Sequence, residues 1–289
     1  MKKYIGIIYA VMASVFMSIM AFLVKKTHSS INCSTIVCAR FLISWVFILL
    51  ILIYEKKINK INYVYSKSLR LQIARGLLLL LTMVLFFNAL LHIALSNATI
   101  LLLTSPLYIP ILMLLFNKSK IHFGQIILII LGFIGIIFII NPNKDIINTY
   151  SIMATLSGVS GAFAMYILSV SGKKDHPYTS MFYSFSITCA LSLFYLSYMG
   201  HISLLFSDPI LFYIGITGTA YQWCLVKSAT YCSAISISTT MYLSVIFSFM
   251  LDYVTWHTEV SVIALLGILV VFVSCVSIIF FDNLTSSPT

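Results

Sequence analysis

Apolar residues run along this chain in blocks of about 20, separated by short stretches that hold most of the lysines and the histidines. A helix crosses a hydrocarbon core of about 30 Å with about 20 residues, so each block is long enough to span a bilayer. The pattern predicts ten spans: Tyr4 to Val24, Thr35 to Tyr54, Leu71 to Leu91, Ala98 to Phe116, Phe123 to Ile140, Ile152 to Val170, Thr179 to Tyr198, Pro209 to Val226, Ala234 to Val254 and Val260 to Phe281. The stretch from Arg75 to Pro110 is the plainest. It is an apolar run, a polar break from His92 to Asn97, and a second apolar run with two prolines, which together make a transmembrane hairpin.

A related pattern, TAYQWCLVKSATYCSAISISTTMYLSVIFSF, returns about 135 residues later and stands in the same relation to a following Leu-Gly pair, Leu131-Gly132 in one case and Leu266-Gly267 in the other. The chain therefore reads as duplicated, with residues 1–146 forming one five-helix unit and residues 147–289 a second. Five crossings are an odd number, so the second unit must insert upside down, with a pseudo-two-fold axis in the membrane plane. The expected fold is an all-α polytopic membrane protein of ten transmembrane helices arranged as two inverted five-helix repeats. Two such units can exchange conformations and open a shared cavity to one side and then the other.

Composition agrees with the pattern. With 61% hydrophobic and 8% charged residues, and a mean hydropathy of +1.07, no soluble core could hide so much apolar surface. The net charge of +10 does not point to nucleic acid, because most of the lysines fall between spans, where they set topology. With the N-terminus inside, the cytoplasmic side receives Lys2, Lys3, Lys56, Lys57, Lys60, Lys67, Arg70, Lys118, Lys120, Lys173, Lys174 and Lys227, and the outer side only Lys25, Lys26 and Lys144. That asymmetry predicts both termini in the cytoplasm. The opening Met-Lys-Lys and its long apolar run read as a retained first span rather than a cleaved leader. The six cysteines form no CxxC pair and read as small apolar residues. No metal or cofactor is expected.

In lipid each polar group must find a partner, so the polar residues inside spans are the informative ones. The third span carries Arg75, then Thr82 on nearly the same face, and Asn88 near its outer end; the eighth carries Tyr221, Gln222 and Trp223 near its inner end. The ninth has Ser236, Thr240, Ser244, Ser248 and Asp252 at four-residue steps, with Tyr242 beside them. Small-residue faces occur in the first span (Ala10, Ser14, Ser18, Ala21) and the sixth (Thr155, Gly158, Ala162, Tyr166). Most such serines and threonines serve as packing contacts, and Arg75 and Lys227 lie close enough to helix ends to snorkel. Arg40 lies deeper, where burial costs roughly 2.5 to 3.5 kcal/mol, so a partner or water is expected there. Asp252, the one acid placed within a span, is a candidate for proton coupling, although its position in the last turn also fits a solvated cap. The six histidines fall in connections or at their edges, which argues against a buried histidine relay.

At several points the chain resembles the drug/metabolite transporter superfamily, in its ten-helix EamA branch. Arg40-Phe41 is similar to the Arg-Phe near the start of that family's second helix. LRLQIARGLLLLLTMVLFFNALLHIALSNATILLLTSPLYIPILMLLF is similar to its third and fourth helices, with Pro106 at the family proline, and SMFYSFSITCALSLFY to its seventh. Within the branch, Arg75-Gly76-Leu77-Leu78-Leu79, Ser180-Met181-Phe182-Tyr183, and Leu225, Lys227, Tyr242 and Leu243 resemble the S-adenosylmethionine transporters of intracellular bacteria. The chain departs from the family after the fourth helix, where Lys118-Ser119 replaces Gly-Glu, and in the ninth, where Thr239 stands near the place of a proline.

The resemblance implies a secondary transporter that moves a small polar metabolite, S-adenosylmethionine-like or amino-acid-like, by alternating access. The first, third, fourth, sixth, eighth and ninth helices would face the axis. Tyr166, Tyr221, Trp223 and Tyr242 could then stack on a ring or methylated cation. Ser18, Asn88, Gln222 and Thr240 could donate or accept hydrogen bonds, and Arg75 could bind a carboxylate. Expected partners are the solute and membrane lipid, with a homodimer left open. Two alternatives remain from other classes. One is a lipid or polyprenyl-phosphate flippase on the same fold. The other is an intramembrane serine protease built on Ser160 in Gly158-Val159-Ser160-Gly161, which would need a histidine on a neighbouring helix.

Overall fold

The computed structural model describes residues 2–27, 31–60, 63–93, 95–117, 123–140, 149–172, 174–256 and 262–285. Among the described residues twelve α-helices account for the ten spans: α1 (Lys2–Lys25), α2 (Cys33–Tyr54), α3 (Leu69–His92), α4 (Leu95–Leu102), α5 (Ser105–Asn117), α6 (Phe123–Ile140), α7 (Thr149–Ser171), α8 (Pro177–Tyr198), α9 (Ile210–Ser228), α10 (Ala234–Thr240), α11 (Leu243–Trp256) and α12 (Val262–Thr285). The extra two arise because the fourth span is broken between α4 and α5, and the ninth between α10 and α11. A π-helical turn (Glu55–Asn59) extends α2 and ends at Lys60, whose φ of 54° is left-handed. The boundary expected between residues 146 and 147 lies outside the described residues.

The surface is apolar where a soluble protein's would be polar. Leu50, Phe194, Phe212 and Leu269 are all more than half exposed, which places them against lipid tails. Inside the bundle, hydroxyls are satisfied locally: Thr99 donates to the Leu95 carbonyl, Thr82 to Leu78 and Thr188 to Ser184. A serine or threonine that donates one turn back can sit in an apolar helix without an orphaned donor.

The packing has two-fold order. Helix α3 lies along α7 as α9 lies along α1; α2 meets α9 as α8 meets α3; α4 and α5 rest on α7 as α10 and α11 rest on α1. Helices α2 and α8 contact each other, as do α6 and α12. Exchanging α1–α6 with α7–α12 maps these contacts onto one another. Each unit crosses the membrane five times, so an axis producing this order lies in the membrane plane and the repeats are inverted.

Small residues set the closest approaches, as expected where lipid supplies no hydrophobic drive between helices. A Cβ on Gly135 of α6 would stand 3.0 Å from the Gly267 carbonyl of α12, and one on Gly215 of α9 would stand 2.2 Å from Ile43 of α2. Next to the second crossing, Ser44 and Thr219 share a hydrogen bond of 2.7 Å.

Candidate functional site

The two helix breaks meet at the centre of the bundle. In the fourth span Pro106 has no N–H to return to the Leu102 carbonyl, and the helix stops at Leu102 and restarts at Ser105. In the ninth span there is no proline. Its turn is carried by three-residue bonds, from Tyr242 N–H to the Thr239 carbonyl and from Ser244 N–H to the Met241 carbonyl. Neighbouring helices stabilise both breaks. Ser14 and Ser18 of α1 donate to the Thr240 and Ser244 carbonyls at 3.1 and 2.7 Å. On the other side Gly158 of α7 comes so close to the first break that a Cβ there would lie 2.5 Å from Thr104 Oγ1 and 2.8 Å from the Leu101 carbonyl.

Between the breaks lies a cavity of about 80 Å3. Its wall comes from α1 (Met17), α3 (Arg75, Leu79, Thr82, Met83), α4 and α5 (Leu102, Ser105, Ile109), α7 (Gly161, Met165), α9 (Tyr221, Gln222) and the second break (Met241, Ser244). These are the six spans expected to face the axis. The volume holds a few waters and is too small for a metabolite, so this conformation has a contracted centre.

The polar groups on this wall are poorly matched by the protein itself. Gln222 is 1% exposed, and neither its amide nitrogen nor its oxygen has a partner. Arg75, equally buried, directs Nη1 to Ser180 Oγ at 2.9 Å, Ser184 Oγ at 2.7 Å and the Ser180 carbonyl at 3.2 Å, while its Nε has no partner. Among the described residues no carboxylate pairs with it. A buried guanidinium with a spare donor, on the same wall as an unpartnered amide, has the chemistry to receive an oxyanion. Four methionines, Met17, Met83, Met165 and Met241, supply soft walls that can repack around a ring.

Of the residues singled out in the sequence, Arg75, Tyr221 and Gln222 come together here. Ser18 and Thr240 belong to the support of the second break, Thr240 through its carbonyl and a 2.7 Å bond from its Oγ1 to the Ser236 carbonyl. Tyr242 is fully buried with its ring against Gly132 of α6, where a Cβ would be 2.8 Å from it. Asn88 faces a lateral groove with Cys33, Ser192 and His201, and its Nδ2 donates to the Val84 carbonyl. Trp223 turns to the outer side of α9, between Phe47 and Tyr178. Tyr166 packs on Phe116 at 5.6 Å. Asp252 is partly buried on α11 and its charge acts on Lys25, whose Nζ donates to the Leu90 and Ile93 carbonyls. Ser160 donates its hydroxyl hydrogen to the Leu78 carbonyl at 2.9 Å, and its environment is the α3–α7 contact rather than a nucleophile's.

Arg40 meets π faces at its depth, while its Nε and Nη1 have no hydrogen-bond partner. Its guanidinium carbon lies 4.7 Å from the Phe41 ring and 6.0 Å from the rings of Phe87 and Tyr221. Gly218 makes the room, since a Cβ there would be 2.6 Å from Arg40 Nε.

One buried carboxylate escaped the sequence reading. Asp175, in the connection before α8, is buried and accepts hydrogen bonds from Ser66 Oγ and the Lys67 N–H, both at 2.7 Å, from Gln72 Nε2 at 2.8 Å and from Ser68 Oγ. Burial raises its pKa, but the four donors outweigh burial and hold the carboxyl below the usual carboxylate range. The available signal was Gln72, a polar residue one turn before Arg75 in an apolar helix.

Comparison with known proteins fits this geometry. The EamA-like transporter family model matches residues 4–141 and again 148–280. Ser14 and Gly158, which contact the two breaks, each stand ten residues into their matched block. The pseudopaline exporter CntI of Pseudomonas aeruginosa strain UCBPP-PA14 is 24% identical over 285 residues, covering 94% of this chain and 95% of that protein. The S-adenosylmethionine uptake transporter of Rickettsia bellii strain RML369-C is 23% identical over 244 residues, 84% of this chain and 82% of that protein. A solved structure titled "Crystal structure of protein" shares the fold with a TM-score of 0.75 at 11% identity, over 98% of both chains.

Proposed function

The chain belongs to the EamA-like transporter family and is a membrane transporter of small metabolites rather than an enzyme; from that premise we propose that its solute carries a carboxylate and an aromatic or heteroaromatic ring. The observation that carries this is the presence of Arg75 and Gln222 on one cavity wall, where a buried cation and an amide have unpartnered polar atoms. Arg75 binds the carboxylate, Gln222 orients it, and the methionines with Tyr221 take the ring. S-adenosylmethionine and the aromatic amino acids are the first candidates. The substrates in the names of the two relatives belong to those proteins, but both relatives carry small metabolites, which supports the class.

Transport proceeds by alternating access, the two inverted units changing roles around the breaks in the fourth and ninth spans. Both termini face the cytoplasm of a bacterial inner membrane, as the lysine asymmetry favours. Purified protein in liposomes should exchange labelled S-adenosylmethionine or labelled aromatic amino acids in counterflow, and the corresponding carboxamides should not compete. Movement of a labelled lipid with none of these solutes would instead favour a flippase.

A further inference from the structure

Arg75 is connected to a carboxylate that it never touches. The connection can be followed hydrogen by hydrogen. Asp175 is ionised and has no hydrogen to give, so the Gln72 amide must face it with its NH2 group, at 2.8 Å. That fixes Gln72 Oε1 on the far side, where it accepts the Ser180 hydroxyl hydrogen at 3.0 Å. With its hydrogen spent, Ser180 Oγ can present only lone pairs to Arg75 Nη1, 2.9 Å away. Ser184 is in the same condition, because it donates to the Ser180 carbonyl at 2.7 Å and accepts from Nη1. The negative charge on Asp175 therefore orients each dipole along the route towards the guanidinium. These residues come from α3, α8 and the segments before each, so the route also ties the start of α3 to the connection that precedes α8.

We propose that Asp175, acting through Gln72 and Ser180, is a positioning residue that holds Arg75 in its solute-binding orientation and supplies the distant negative charge that makes its burial tolerable. This rests on Arg75 being the solute anchor. The surroundings of Asp175 make its titration interpretable. Lys67 and Lys174 are exposed, and the neighbouring His176 stacks on Tyr63 at 4.1 Å. The charges that act on His176 are Lys227 and Glu55. Asp175 itself is governed by burial and its four donors. If it is protonated, or replaced by asparagine, Gln72 can turn over, the Ser180 hydrogen can swing towards Nη1, and the arginine loses an acceptor.

The chain has only three arginines, Arg40, Arg70 and Arg75, so full-length protein labelled with 15N-arginine and held in detergent gives three Nε–H signals, assignable by single Arg→Lys variants. The Arg75 signal should move as pH falls through the Asp175 titration, below the ordinary carboxylate range, while the exposed Arg70 signal stays put. Asp175→Asn should abolish that movement. Gln72→Leu, which leaves the Ser66, Lys67 and Ser68 bonds to Asp175 intact, should abolish it too without unfolding the connection. Titration with acetate as a carboxylate probe should perturb Arg75 in the native protein and require at least tenfold more acetate in either variant. An Arg75 signal indifferent to pH and to both substitutions would overturn the positioning role. A signal that follows Asp175 but ignores acetate would leave the coupling standing and remove Arg75 as the anchor.

Discussion

On the proposed reading Arg75 is the residue on which solute recognition turns, because its cost in the membrane is offset only in part by two serines and a carbonyl. A charged hydrogen bond contributes about 1.5 to 3 kcal/mol, so Arg75→Ala should weaken solute binding about 10- to 100-fold, and Arg75→Lys should recover some of it through charge without the planar fork. Half-saturation in counterflow measures both. Gln222→Leu, apolar and one heavy atom smaller, should leave the protein folded while narrowing the set of solutes carried. Arg75 was visible in the sequence as a charge in an apolar run, and Gln222 as an amide in another. The aromatic candidates were harder to sort. Helix α9 is apolar nearly all round, so periodicity cannot say that Tyr221 and Gln222 face the cavity while Trp223 faces away; lipid and protein core look alike to such a pattern. Asp175 was hidden for a different reason, since an acid in a polar connection carries no sign of a partner more than 100 residues away.

At the scale of elements, the two broken spans do the positioning. The spans themselves were legible from length alone: the fifth falls on Phe123–Ile140 as expected, and the second and seventh end at Tyr54 and Tyr198 as expected. The first break had a proline to announce it. The second did not, because its turn is held by Ser14 and Ser18 reaching across from α1, a tertiary cause that a local reading cannot see. The breaks also account for the requirement at Gly158. Gly158→Ala places a methyl against the backbone of the first break and should cost assembly, read as a lower midpoint of thermal denaturation in detergent. Gly161→Ala meets nothing nearer than Thr82 at 3.6 Å, so it should fold normally. Equal stability of the two variants would show that α7 does not support the break.

For the whole molecule, two inverted units enclose a cavity whose contracted volume, under the proposed alternating access, must grow to admit a solute and open to each face in turn. Leu79 lies on that wall. Replaced by cysteine in a chain whose six native cysteines are alanine, it can be probed with a membrane-impermeant maleimide in right-side-out and in inverted vesicles. Alternating access predicts labelling from both sides, slowed by a transported solute in each orientation. Labelling from one side alone, or from neither under turnover conditions, would contradict a cavity shared between the two compartments.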